Sequence, residues 1–195
     1  DEKIYNHGKP SLQHIQLANQ ILEKTFLGRN EQDLIMMEGP LITQSYTEKT
    51  IKTFLNMHQL HKKYNIIWSS SFVSRTSIYA DTIKLKLPVT FRKEGLLGMV
   101  YHEIGTHAIR QINYEKQPWY RRKKQFGFSN YLKTEEGLAT LHAIIPHSHK
   151  SAYVSAIRYL AVTYAQSNSF AETFKKISKY INDPNRCWTV TFRQK

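Results

Sequence analysis

Met99-Val100-Tyr101-His102-Glu103-Ile104-Gly105-Thr106-His107-Ala108 sets two imidazoles and a carboxylate inside the most apolar helical stretch of the chain, Gly95 to Ile112. That stretch is apolar nearly all round, so it reads as a buried helix. Buried histidine and glutamate carry a desolvation cost unless something compensates them. A metal ion does so: neutral imidazoles ligate zinc, and a neighbouring glutamate activates water. The familiar peptidase spacing puts the histidines at i and i+4, about 40° apart around a helix. His102 and His107 stand instead at i and i+5, about 140° apart on a regular helix. A shared face then requires one extra residue in a turn, a π-bulge, and Gly105 is the expected place for it. The bland alternative is a pair of satisfied core histidines.

Further along, Thr134-Glu135-Glu136-Gly137-Leu138-Ala139 opens a second helix. Zinc peptidases of the gluzincin type place their third ligand, a glutamate, on such a helix, often in an E-G-x-A run, which Glu136 to Ala139 resembles. Adjacent helical residues diverge by about 100°, so only one of Glu135 and Glu136 can face the ion. Glu136 is the expected one; an ordinary acidic helix start behind Thr134 as cap is the alternative. The expected site is one Zn²⁺ held by His102, His107 and Glu136, with a fourth position open to water. Glu103 is then the acid/base, and Tyr131, His142 and Tyr153 are the candidate donors to the oxyanion.

On either side of this segment, helical spacing is expected from Pro10 to Leu27, Ser45 to Lys63, Glu135 to Ile145, Ser151 to Ser167 and Phe170 to Ile181. Between Asn65 and Pro88, Ile66-Ile67-Trp68, Ser71 to Val73 and the Ile83, Leu85, Leu87 alternation read as strands. The expected fold is α+β: mainly helical, gluzincin-like, with a small antiparallel or mixed sheet preceding the motif helix. With 195 residues and no long linker, a single catalytic domain over residues 1–195 is expected. The closing Trp188 to Lys195 run alternates like a strand and then stops, so a chain truncated at its C-terminus is expected.

Composition narrows the function classes. Lys and Arg number 28 against 15 Asp and Glu, a formal charge of +13, which calls for an anionic partner: nucleic acid, an acidic membrane surface or an acidic protein. No run approaches the roughly 18 apolar residues of a membrane span. The lone Cys187 excludes a disulfide framework, a zinc finger and an iron–sulfur site. Residues 116–134 hold six basic and no acidic residues, interleaved with Trp119, Tyr120, Phe126 and Phe128. Arg75, Arg110, Arg121 and Lys133 are candidate cations for a substrate carboxylate. His142, His147 and His149 form a second histidine group, read as helix-end residues rather than another metal site.

The runs VYHEIGTHAIR (residues 100–110), WSSSFVSRTSIYAD (68–81) and GFSNYLKTEEGLATLHA (127–143) resemble the vertebrate microtubule-associated tyrosine carboxypeptidase family over nearly the whole chain. The i+5 spacing is that family's signature. The resemblance implies zinc-dependent removal of the C-terminal tyrosine of α-tubulin, in the cytoplasm at microtubules, with His102 and His107 as ligands and Glu103 as acid/base. The expected partner is the acidic α-tubulin tail, with nucleic acid disfavoured and no membrane. Family members continue past the position of Cys187, which leaves the competence of this chain open. Two alternatives stay beside this one. The first is a zinc peptidase on another acidic substrate. The second is an inactive microtubule- or nucleic-acid-binding module with a structural zinc.

Overall fold

A computed structural model describes residues 8–128, 131–148 and 151–194. His149 and the chain's two end residues therefore lie outside the described residues. In chain order the helices are α1 (Leu12–Phe26), α2 (Glu31–Met37), α3 (Gln44–Met57), α4 (Lys93–His102), α5 (Ile109–Glu115), α6 (Leu132–Ile144), α7 (Tyr153–Ser167), α8 (Phe170–Ile177) and α9 (Pro184–Phe192). The strands are β1 (Asn65–Ser69), β2 (Thr76–Tyr79) and β3 (Thr82–Lys86). A π-helical segment, Glu103–Ala108, joins α4 to α5 without a break. The chain forms two compact units, one of Asp1–Met37 with Ser151–Lys195, the other of Glu38–Lys150.

The first unit is all helical among the described residues. Ala18 and Leu22 of α1, Ile157 and Leu160 of α7, Ile177 of α8 and Cys187 of α9 share its core. Caps delimit its helices. Ser11 accepts from the His14 amide, Ser169 and Glu172 form a reciprocal capping box, and Asp183 caps α9 with Pro184 in the first turn. These last two residues correct the expected strand at Trp188–Lys195. The run from Pro184 to Phe192 is helical, with Cys187 and Thr191 inward one turn apart and Trp188 stacked on Phe192 outside. The alternation of Trp188, Val190 and Phe192 was a period-2 pattern laid over a capped helix. Helix α8 also stops sooner than expected, at Ile177.

The second unit carries the sheet and the motif. The strand order is β1-β3-β2, with β1 parallel and β2 antiparallel to β3. The fold is therefore mainly helical with a small mixed sheet, as expected. The middle strand of the expected three is displaced: Ser71–Val73 is not a strand, and Thr76–Tyr79 pairs instead. At that point the Ser71 amide donates to the Ser69 hydroxyl, a local bond that competes with the ladder. Helix α3 ends at Met57 rather than Lys63, because Gln59 adopts a positive φ of 58°. Its Ile51 and Leu55 pack with Ile83 and Leu85 of β3 and with Leu96, Met99, Val100, Ile104 and Ala108 of the motif helix. Burial of that last stripe fixes which residues of the helix face away from the core.

Candidate metal centre

Val100, Ile104 and Ala108 are turned into the core, so the polar residues between them emerge on the remaining faces. His102 closes α4 and His107 lies within the π segment. Closing hydrogen bonds from i to i+5 rather than i+4 brings residues five apart toward one face. Thr106 reinforces the wide turn, its hydroxyl donating to the Tyr101 carbonyl five residues back at 3.0 Å. The rings of His102 and His107 consequently lie 5.0 Å apart, centroid to centroid. Gly105 sits inside the distortion, where the spacing put it.

Helix α6 brings the carboxylates. It starts at Leu132, with Tyr131 at the cap position and no side-chain cap bond, so Thr134 lies within the first turn and is not the cap. Glu136 points one oxygen at each imidazole, 4.0 Å from His102 Nε2 and 3.7 Å from His107 Nε2. Ligand atoms of His102, His107 and Glu136 all fall within 4.8 Å of one another. Two donors each about 2.1 Å from one tetrahedral zinc stand about 3.4 Å apart, so the three side chains would have to draw together by at most about 1.4 Å to share an ion. The donor set, two imidazoles and a carboxylate, also matches zinc chemistry. Glu136 is 53% exposed, which keeps that side of the group open to solvent.

Glu135 faces elsewhere. Its Oε1 lies 2.7 Å from His107 Nδ1 and 2.6 Å from Arg110 Nε, the latter an ion pair whose N–H is not aligned as a hydrogen bond. Glu103 stands beside the donor group, and Thr76 of β2 donates to its Oε1 across 3.4 Å. Glu103, His107, Arg110, Glu135 and Glu136 share a cleft of about 690 Å³ with Tyr64, Ile78 and Tyr79. Among the described residues strand β2 pairs only with β3, so its other edge is free among them, and Ile78 and Tyr79 of this strand line the cleft.

The other expected residues scatter. Arg75 rests its guanidinium over Phe91, Arg121 lies over Tyr120, and Lys133 is exposed in the first turn of α6. Of the four candidate cations only Arg110 lines the cleft. Tyr131 packs its ring against Arg110 and Lys123. His142 is bonded through Nδ1 to Thr106 at 2.8 Å and lines a different, apolar cavity on the opposite face of the motif helix, with Phe54, Tyr101 and Gly105. Tyr153 is buried in the core of the other unit. His147 lies against Gly98, at the crossing of α4 with the end of α6.

The polar contacts that support this group leave little signal in the sequence: Glu135 with Arg110, Thr106 with His142, and Thr76 with Glu103. One signal was legible. Arg110 follows His107 by three residues, a spacing that puts two side chains on neighbouring positions of one helix face.

Comparison with known proteins gives a consistent answer. The profile of a family described as microtubule-associated tyrosine carboxypeptidase matches residues 3–194. Microtubule-associated tyrosine carboxypeptidase 1 of Mus musculus is 26% identical over 188 residues, covering 94% of this chain and 40% of the mouse protein. The Homo sapiens protein of that name is 25% identical over the same length. Mus musculus MATCAP2 is 40% identical over 110 residues, 54% of this chain and 21% of the relative. The chain thus spans about two fifths, or less, of the curated relatives it matches.

Proposed function

Because the chain belongs to the microtubule-associated tyrosine carboxypeptidase family, we propose that it is a zinc-dependent carboxypeptidase that removes the C-terminal tyrosine from α-tubulin at microtubules. The observation that carries the reading is the convergence of His102, His107 and Glu136 beside Glu103, on a helix widened at the residues that separate the two histidines. The domain is read as gluzincin-like, with a small sheet ahead of the motif helix.

His102, His107 and Glu136 would hold the ion. When bound, zinc supplies a Lewis acid for the scissile carbonyl and lowers the pKa of water. Glu103 takes the proton of the attacking water and passes it to the leaving amine; Thr76 steadies that carboxylate. The donor group comprises three side chains among the described residues, the ligand count of a catalytic rather than a structural zinc site. An extended peptide can lie along the free edge of β2 by main-chain hydrogen bonds, which aligns a chain end with Glu103. The basic stretch of residues 116–133 suits the acidic tail of tubulin by charge.

Metal analysis of purified protein tests this. Wild type and Glu103→Gln are expected to carry about one zinc per chain, and His107→Ala and Glu136→Ala to carry none. Absence of stoichiometric metal from the wild type at neutral pH would overturn the reading.

A further inference from the structure

The two nitrogens of His107 face two different carboxylates. Nε2 looks toward Glu136 at 3.7 Å, and Nδ1 toward Glu135 at 2.7 Å. Glu135 is only 6% exposed, and an ionised carboxylate that deep needs a partner of opposite charge. Arg110 provides it at the same oxygen that meets His107. The arginine is itself braced, its guanidinium 5.2 Å from the centre of the Tyr131 ring. That ring also receives Lys123 Nζ at 3.6 Å, and Lys123 reaches the Tyr114 ring at 3.9 Å. A continuous chain of contacts thus runs from the basic connector to one imidazole.

We propose that Glu135, held by Arg110, is the positioning residue for His107. It accepts the hydrogen of Nδ1, and so keeps the Nε2 lone pair and the ring plane aimed at the point where His102 and Glu136 converge. A neutral imidazole carries one hydrogen on one of two nitrogens, and the partner of the first nitrogen decides what the second can do. The glutamate pair divides its labour because neighbouring helical residues point about 100° apart: Glu136 to the donor group, Glu135 behind the ligand. Arg110, the one expected carboxylate-binding cation that lines the cleft, is thereby committed to the protein's own glutamate. This inference rests on the metal reading above for its consequence, but its geometry stands in the metal-free protein.

The test therefore has two arms. In metal-free protein at mildly alkaline pH, where imidazole is neutral, ¹⁵N NMR reports which His107 nitrogen bears the hydrogen. Wild type and Glu135→Gln, whose amide oxygen can still accept, are expected to hold it on Nδ1, whereas Glu135→Ala shows a mixture of tautomers. In the second arm, chelator competition measures zinc affinity. Glu135→Ala is expected to bind about 10–100-fold more weakly, Arg110→Met more weakly than wild type, and Glu135→Gln between wild type and alanine. Should Glu135→Ala not fold, as judged by circular dichroism, the Gln and Arg110→Met variants are read on the same two scales. An Nε2-bound hydrogen in the wild type, an unchanged tautomer in Glu135→Ala, or undiminished zinc affinity in that variant would overturn the proposal. If the wild type takes up no zinc, the metal reading fails and the tautomer arm alone decides this one.

Discussion

At the scale of single residues, position on the motif helix separates chemistry from support. His102, Glu103 and His107 were legible because no apolar core asks for two imidazoles and a carboxylate in one buried helix. Glu135 was not, since an acidic residue in a first turn is ordinary and only the fold brings His107 and Arg110 to it. Glu103 is bonded to Thr76 and stands outside the three-donor group. Glu103→Gln should therefore lower hydrolysis by about 10²–10⁴-fold while zinc content stays at the wild-type level, read by turnover and metal analysis on one preparation. Across the cleft, Lys63 Nζ lies 2.8 Å from Glu115 Oε2. The Lys63 hydrogen bond holds the Glu115 carboxyl below its ordinary range, and Glu115 raises Lys63 in return. The glutamate's contribution is thus present above the usual carboxylate range and lost as pH falls through it. The lysine's is lost only at strongly alkaline pH. Both groups are about one-third exposed and screened by solvent, so the pair contributes no more than about 0.5 kcal/mol. Denaturant midpoints of Lys63→Met should differ from wild type near neutral pH and converge with it on acidification.

At the scale of elements, the informative feature is a helix that changes its own pitch. The i+5 spacing demanded a π turn, and Glu103–Ala108 is one. Gly105 within it meets only ordinary contacts, its virtual Cβ 3.6 Å from Phe54, so Gly105→Ala should fold with little loss. Gly98 differs. A Cβ there would stand 2.8 Å from the Ala143 carbonyl oxygen and 2.7 Å from His147 Nε2. Backbone cannot retreat cheaply, and α4 would have to move off α6. Gly98→Ala should cost about 1–3 kcal/mol and weaken zinc binding, because those two helices bear the two halves of the donor group; thermal unfolding and chelator competition check both. Helices long enough to show their period were readable, the core helix of Gly95 to Ile112 among them. The short α2 was not, for its start is set by Asn30 and Asp33 exchanging side chain-to-backbone bonds. At α9, three alternating apolar residues masked what Asp183-Pro184 announces, a capped helix with proline at its first position.

For the whole molecule, the net charge of +13 left nucleic acid, membrane and acidic protein open. No described helix is long and apolar enough to cross a membrane. Under the proposed function an acidic protein tail is the expected partner. Much of the connector's charge is engaged with rings, Lys123 with Tyr114 and Tyr131, Arg121 with Tyr120, Arg122 with Phe126. Such stacking orders the cations without cancelling their charge. Association with an acidic tail peptide should slow as salt rises, and the Arg121→Glu/Arg122→Glu/Lys124→Glu triple variant should reduce the on-rate by roughly tenfold, measured by stopped flow. The activity proposed for the site at Glu103 is removal of a terminal tyrosine. Mass spectrometry of α-tubulin tails incubated with zinc-loaded wild type and with Glu103→Gln tests it most directly. Loss of one terminal tyrosine with the wild type and intact tails with the variant is the expected result. Intact tails with the zinc-loaded wild type, or equal loss with both proteins, would contradict it.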